Sequence, residues 1–150
     1  MKYNKNFDTN FLPDYIAYTD GGYLIPKGYG ASACVILNTQ GEKIYEWSKI
    51  CRNSSSNRQE LGAIIHAVLH TPEGSNLLVY SDSQYAIGVL SGSIKAKKNP
   101  DLISYYKRFV LNRRIKVSFR WVAGHNGNQW NEVVDAMCTE AMSAYGLSLT

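Results

Sequence analysis

The sequence predicts an α/β fold: a five-stranded mixed sheet, three antiparallel strands followed by two parallel ones, with helices on both faces. Three observations lead there. Three β-rich runs come first, joined by short turn segments, which is the pattern of an antiparallel meander. Two later apolar runs of strand length alternate with segments of helical period, which is the pattern of βαβ units. The chain has 150 residues, 45% apolar and 19% charged, a composition suited to one domain with its own core.

The elements follow in order. Residues 1–13 are polar, Asn-rich and aperiodic, and are expected to form a flexible arm ahead of a domain at 14–146, with a tail at 147–150. Tyr15–Asp20 is a short β-rich run ending in an acid, and Gly21, Gly22, Pro26, Gly28 and Gly30 then mark a turn region. Tyr29–Leu37 and Glu42–Ile50 are strands joined through Asn38–Gly41. After a polar loop at Arg52–Asn57, Leu61, Ile64, Ile65, Val68 and Leu69 fall at helical spacing, which predicts a helix from about Gln59 to His70. Leu77–Tyr80 is an apolar strand of the kind buried on both faces, and Ser83–Leu90 starts a helix. Asn99-Pro100-Asp101 opens the next helix, with Leu102, Tyr105, Tyr106, Phe109 and Val110 as its apolar face. Ile115–Trp121 alternates as a strand, and Asn131–Tyr145 is the final helix.

Composition excludes several classes. No apolar run approaches the ~20 residues of a membrane span. The N-terminus lacks the apolar core of a secretory signal. Cys34, Cys51 and Cys138 are odd in number with no paired spacing, which argues against disulfides or a zinc ribbon and points to a reducing, cytoplasmic compartment. The net charge of +4 hides an asymmetry. Between Ile94 and Lys116 lie eight basic residues and one acid, Asp101, giving +7, while the remainder of the chain carries −3. Such a segment suits a polyanionic partner.

Four acids lie where strand and helix ends would meet. Asp20 and Asp82 end strands, Glu60 begins the helix after the polar loop, and Asp135 is in the first turns of the last helix. Right-handed crossovers bring parallel strand ends to one edge, where α/β sheets bind ligands. Carboxylates ~4 Å apart repel by ~4 kcal/mol at an effective dielectric near 20, so such a cluster calls for protons or a hard divalent cation such as Mg²⁺ or Mn²⁺. Two such ions can drive phosphoryl transfer.

At this point the chain resembles a known family, type 1 ribonuclease H, over about Tyr15–Tyr145. Tyr18-Thr19-Asp20-Gly21 is similar to its first-strand motif, and Ser56-Asn57-Arg58-Gln59-Glu60-Leu61 to its helix start. Tyr80-Ser81-Asp82-Ser83-Gln84-Tyr85 is similar to its second acidic turn. Gly124-His125-Asn126-Gly127 with Asn131-Glu132 and Asp135 is similar to its ending. The resemblance implies a ribonuclease H-like fold and an endonuclease that cuts the RNA strand of RNA–DNA hybrids with two Mg²⁺ ions, leaving 3′-hydroxyl and 5′-phosphate ends. It implies Asp20, Glu60, Asp82 and Asp135 as metal ligands, with Asp20 bridging the ions, and His125 as an aid to proton transfer or product release. Ser56, Asn57 and Gln84 would meet the wide minor groove and its 2′-hydroxyls. Arg58 reads as structural, bonding a carbonyl or a neighbouring acid.

The chain departs from the family in two places. Only Ser91–Asn99 separates the two middle helices, so it resembles the members without the basic handle that grips the DNA strand. Lys95, Lys97 and Lys98 are expected to stand in for it electrostatically. The loop after the first strand is also short, and Tyr23–Lys27 replaces the polar residues common there. The rival readings are a non-catalytic hybrid-binding module and another nuclease of the same fold, such as a junction resolvase or integrase core. A monomer is expected, with no membrane partner. His66 and His70 are spaced like part of a zinc site but have no third ligand, and read as surface or half-buried residues. Trp47, Trp121 and Trp130 read as core or loop anchors.

Overall fold

The structure is a computed structural model, and it describes residues 10–124 and 128–150. Five strands form one sheet in the order β3-β2-β1-β4-β5. Strands β1 (Tyr15–Leu24), β2 (Tyr29–Leu37) and β3 (Lys43–Arg52) are the antiparallel meander. Strands β4 (Asn76–Ser81) and β5 (Lys116–Trp121) join it in parallel, β4 against β1 and β5 against β4. The predicted sheet is therefore the observed one.

Helices cover both faces, as the alternation of side chains along β2 requires. Cys34 and Ile36 point into a larger core with α1 (Ser56–His70), α2 (Gln84–Ser91) and α3 (Pro100–Asn112). Ala33 and Val35 point the other way, into a smaller core under α4 (Gln129–Ser148), where Val134 and Cys138 meet them. Every residue of β2 is buried, as expected for an inner strand covered on both faces.

Several boundaries differ from the sequence reading, some of them for evident local reasons. Strand β1 runs past Asp20 to Leu24, because Gly21 and Gly22 stay in register with Ser32 and Ala31. The glycines serve close approach rather than a turn: a Cβ on Gly30 would lie 2.2 Å from the Gly22 carbonyl oxygen. The turn comes afterwards, as a 3₁₀ turn at Ile25–Lys27 closed by Gly28 at φ 75°. Helix α1 starts at Ser56, three residues earlier than the apolar period suggests, because the Ser55 side chain accepts from the Arg58 N–H. Helix α4 begins earlier as well, capped by Asn128 onto the Asn131 N–H, and extends past Tyr145 to Ser148.

Helix α3 turns most of its predicted face inward: Tyr106 is buried, and Leu102, Phe109 and Val110 pack partly buried against the larger core. The exception is Tyr105, which is 43% exposed, while Ile103 is buried instead. Asn99 does precede this helix, but it sits in the left-handed region at φ 61° and makes no capping bond.

Candidate active site

The site forms where β1 outruns β4. Their shared pairing ends at Tyr18↔Tyr80, after which β1 continues along β2 alone and β4 runs one residue further beside β5 before the chain turns into α2. Asp20 lies two residues past that last rung after Tyr18, and Asp82 two residues past it after Tyr80. The Tyr18 and Tyr80 rings stack on the rung itself, centroids 4.7 Å apart and planes within 7°.

Glu60 arrives from α1, and Gly21 admits it. A Cβ on Gly21 would lie 2.4 Å from the Gln59 carbonyl carbon and 2.5 Å from the Glu60 nitrogen, so the helix backbone rests on the bare glycine. Ser32 on β2 fastens the same turn, its hydroxyl 2.8 Å from both the Gln59 carbonyl and the Gln59 Oε1. Gln59 in turn donates to Ser54 Oγ at 2.7 Å.

Asp82 is set by its own backbone. The Trp121 indole N–H donates to the Asp82 carbonyl at 3.2 Å, and Ser83 accepts from the Ala86 N–H to start α2. On the far side, the Cys138 thiol of α4 lies 3.6 Å from the Asp20 carbonyl oxygen.

Three acids thus meet: ligand oxygens of Asp20, Glu60 and Asp82 all lie within 4.8 Å of one another. Asp20 and Glu60 are buried. Burial and then the negative charge of Asp82 push the Asp20 carboxyl up to about 7. Burial and then the charge of Asp20 push Glu60 well above the ordinary carboxylate range. One Glu60 oxygen, Oε1, is buried without a hydrogen-bond partner. A buried acceptor left unpaired among like charges is what a bound cation would satisfy. Three hard oxygen donors suit Mg²⁺ or Mn²⁺ by type. The donor set therefore fits a divalent metal.

Asp135 stands outside that 4.8 Å group. It is half-buried in the second turn of α4, and its charge adds to the upward shift of Asp20. His125 lies outside the described residues. Gly124, just before it, is placed so that its Cβ would lie 3.4 Å from Asp82 Oδ2.

The expected substrate contacts are all exposed. Ser56 and Asn57 open α1, Gln84 opens α2, and Lys95, Lys97 and Lys98 line the loop between α2 and α3. Arg58 is structural, as expected: it grips Asp101 with two bonds of 2.8 and 3.0 Å and reaches Asn99 Oδ1 at 3.2 Å.

His66 and His70 form no metal pair. Their rings stack at 4.1 Å, His66 stacks on Trp47 at 3.6 Å, and its Nε2 is 2.8 Å from the Tyr45 hydroxyl. Lone pairs in two stacked ring planes do not converge on one ion. Trp47 and Trp121 are partly buried against the larger core and Trp130 against the smaller one. Cys34 and Cys138 are buried, and all three cysteines are free.

Sequence reasoning missed the supports of the site: the Tyr18–Tyr80 stack, the Ser32 fastening and the role of Gly21. A glycine directly after a strand acid was visible, but it read as a turn.

Among the described residues no helix is long and apolar enough to cross a membrane. Comparison with known proteins gives concordant results. The profile of the RNase H family matches residues 13–143. Ribonuclease HI of Synechocystis sp. is 32% identical over 138 residues, covering 83% of this chain and 84% of that protein. Ribonuclease H of Campylobacter jejuni is 33% identical over 132 residues, covering 83% and 88%. Among solved structures, the N-terminal RNase H domain of a Mycobacterium tuberculosis protein, fused to maltose-binding protein, superposes with a TM-score of 0.74. It covers 93% of this chain and 100% of that one at 19% identity, a likeness of fold.

Proposed function

The chain belongs to the RNase H family of hydrolytic nucleases, and from that premise we propose that it cuts the RNA strand of RNA–DNA hybrids. The observation that carries this reading is the meeting of Asp20, Glu60 and Asp82 with an unpartnered buried Glu60 oxygen. Binding a polyanion needs positive charge, so a knot of carboxylates has no use in a module that only binds. It has a use in a metal-dependent hydrolase.

Asp20, Glu60, Asp82 and Asp135 would hold two Mg²⁺ ions, with Mn²⁺ able to substitute. When bound, the metal supplies Lewis acidity for in-line hydrolysis of the RNA phosphate, with 5′-phosphate and 3′-hydroxyl products. The chain's own residues do the rest. Asp20 and Glu60, buried and raised in pKa, are poor carboxylates without metal and good ligands with it. Ser56, Asn57 and Gln84 stand at helix starts beside the acids, where they can read the minor groove and its 2′-hydroxyls. Lys95, Lys97 and Lys98 take backbone phosphates in place of a handle. His125, from its glycine-flanked motif, assists proton transfer or product release. A monomer in a reducing, cytoplasmic compartment is consistent with three free cysteines.

The test is cleavage of an end-labelled hybrid in Mg²⁺, with RNA–RNA, DNA–DNA and single-strand controls. We expect cuts in the RNA strand of the hybrid. Tight hybrid binding with no cleavage in Mg²⁺ or Mn²⁺ would mean a binding module. Preferred cutting of four-way junctions or duplex DNA would mean another nuclease of this fold.

A further inference from the structure

The loop that carries Lys95, Lys97 and Lys98 is tied at both ends. At its start, the Ile94 N–H donates to the Gly88 carbonyl of α2 at 2.9 Å. The Ile94 side chain sits directly on Gly88, where a Cβ would lie 2.2 Å from its Cδ1. At its end, Asn99 donates through Nδ2 to the Tyr85 hydroxyl at 2.9 Å and accepts from Arg58 at 3.2 Å. Asp101, two residues on, takes the two-pronged grip of the Arg58 guanidinium.

These contacts close a circuit. Arg58 sits in the first turn of α1, two residues before Glu60. Tyr85 sits in the first turn of α2, three residues after Asp82. Both helices carry an acid of the cluster at or just before their starts, and the end of the lysine loop is bonded to both helix starts. Asn99 gives its side chain to this circuit instead of capping its own helix, and its backbone takes the left-handed conformation, φ 61°. The pair itself is half-exposed, with side-chain accessibilities of 34% and 49%, so it adds little to stability. Asp101 is also the sole acid between Ile94 and Lys116. An acid there opposes a polyanion, and its position is explained by geometry rather than by charge.

We propose that Asn99 and Asp101 are positioning residues for the hybrid: through Arg58 and Tyr85 they clasp the lysine loop to α1 and α2 and fix where Lys95, Lys97 and Lys98 meet the substrate backbone. This rests on the hybrid-nuclease reading above. Charge and clasp make opposite predictions for the same substitution. Removing an acid from a cationic surface should tighten binding to a nucleic acid. Removing a tie that aligns three lysines should weaken it, because cations on a loose loop must be ordered at the moment of binding.

The experiment uses the full chain with Asp101→Ala and Asn99→Gly, glycine keeping the left-handed backbone. Cleavage kinetics on a labelled hybrid are measured with fluorescence-anisotropy binding over a salt series. The clasp predicts that KM rises roughly three- to tenfold with kcat within about twofold, and that the salt slope falls by about one unit, the size of one lost phosphate contact. Unchanged or lower KM in both variants overturns it, as does a fall confined to kcat. Hydrogen exchange of the Ile103 amide, which donates to the Asn99 carbonyl at 3.2 Å, is the arm independent of substrate, measured on the free protein. Faster exchange in both variants is expected, and exchange equal to wild type overturns the clasp. Failure of the wild-type chain to cut hybrid would refute the functional reading and leave that exchange result to judge the clasp.

Discussion

Tyr18 and Tyr80 stack face to face across the last rung shared by β1 and β4, two residues ahead of Asp20 and Asp82 respectively. The pair is a spacer. It fixes the distance between two strands at the point where they part, and each strand end then delivers one acid. Aromatic pairs of this kind contribute about 0.5–1.5 kcal/mol beyond their buried area. Tyr80→Ala should lower stability by about 1–3 kcal/mol in urea unfolding and weaken Mg²⁺ binding measured by calorimetry. Tyr80→Phe keeps the ring and should retain both.

Gly21→Ala should do more damage than its single methyl suggests. The new Cβ would meet backbone atoms of Gln59 and Glu60 at 2.4 and 2.5 Å, and backbone cannot rotate aside. The helix must move, at a cost of at least about 1–3 kcal/mol, and it takes Glu60 with it. Hybrid cleavage should fall by more than tenfold. Gly62→Ala is the matched control on the same helix: its Cβ meets nothing nearer than Ser32 Oγ at 3.7 Å. That substitution should be neutral or add up to about 1 kcal/mol through helix propensity, read as a higher Tm.

Asp82→Asn should abolish cleavage while leaving the fold and hybrid binding intact. Circular dichroism, anisotropy and the cleavage assay on one preparation check this together, and residual Mg²⁺-dependent cutting would refute the role of Asp82. His125→Ala should slow turnover by one or two decades, about the range of general acid–base assistance. Unchanged turnover would remove His125 from the mechanism.

The metal-free protein should lose stability as pH rises. Asp20 titrates near 7 in the folded chain against an ordinary value of 3.8, so the folded state holds a proton that the unfolded state releases. Its contribution is full below about 3.8 and is lost as pH climbs through about 7. Glu60 is raised as well and acts in the same direction. His66 acts in the opposite direction: burial lowers it from 6.5 to about 4, and its contribution is lost as pH falls through that window. Comparing wild type with Asp20→Asn isolates the carboxylate. In EDTA, the Tm of wild type should drop relative to the variant between about pH 4 and 7, and saturating Mg²⁺ should reverse the drop.

The sheet and the meeting of Asp20, Glu60 and Asp82 were legible because both leave periodic or positional traces, whereas Asp135 stands outside that group. Val35 and Ile36 face opposite cores, and a run apolar at both parities signals a strand covered on two sides. Asp20 and Asp82 follow such runs directly. What stayed hidden was tertiary. Tyr105 belongs to the apolar face that the period of α3 predicts, yet Ile103 is buried and Tyr105 is 43% exposed, because the docking of the helix decides which edge of that face is covered. Gly21 looked like a turn because a glycine's need for space depends on a helix forty residues away. Asn99 carried the signature of a cap, yet Arg58 and Tyr85 claim its side chain.

The position of β1 in the middle of the sheet also sets when the acids can meet. Its partner β2 is the next strand along the chain, and β3 follows by another short connection, so the meander closes only short loops. Its other partner, β4, pairs Tyr18 with Tyr80 and must close a far longer one. A chain folded only through its first three strands carries Asp20 without the other two acids of the cluster. Glu60 arrives only when α1 docks, and Asp82 only when β4 completes the rung. The carboxylate cluster is therefore a product of the finished crossover, and no part of it is preassembled in the meander.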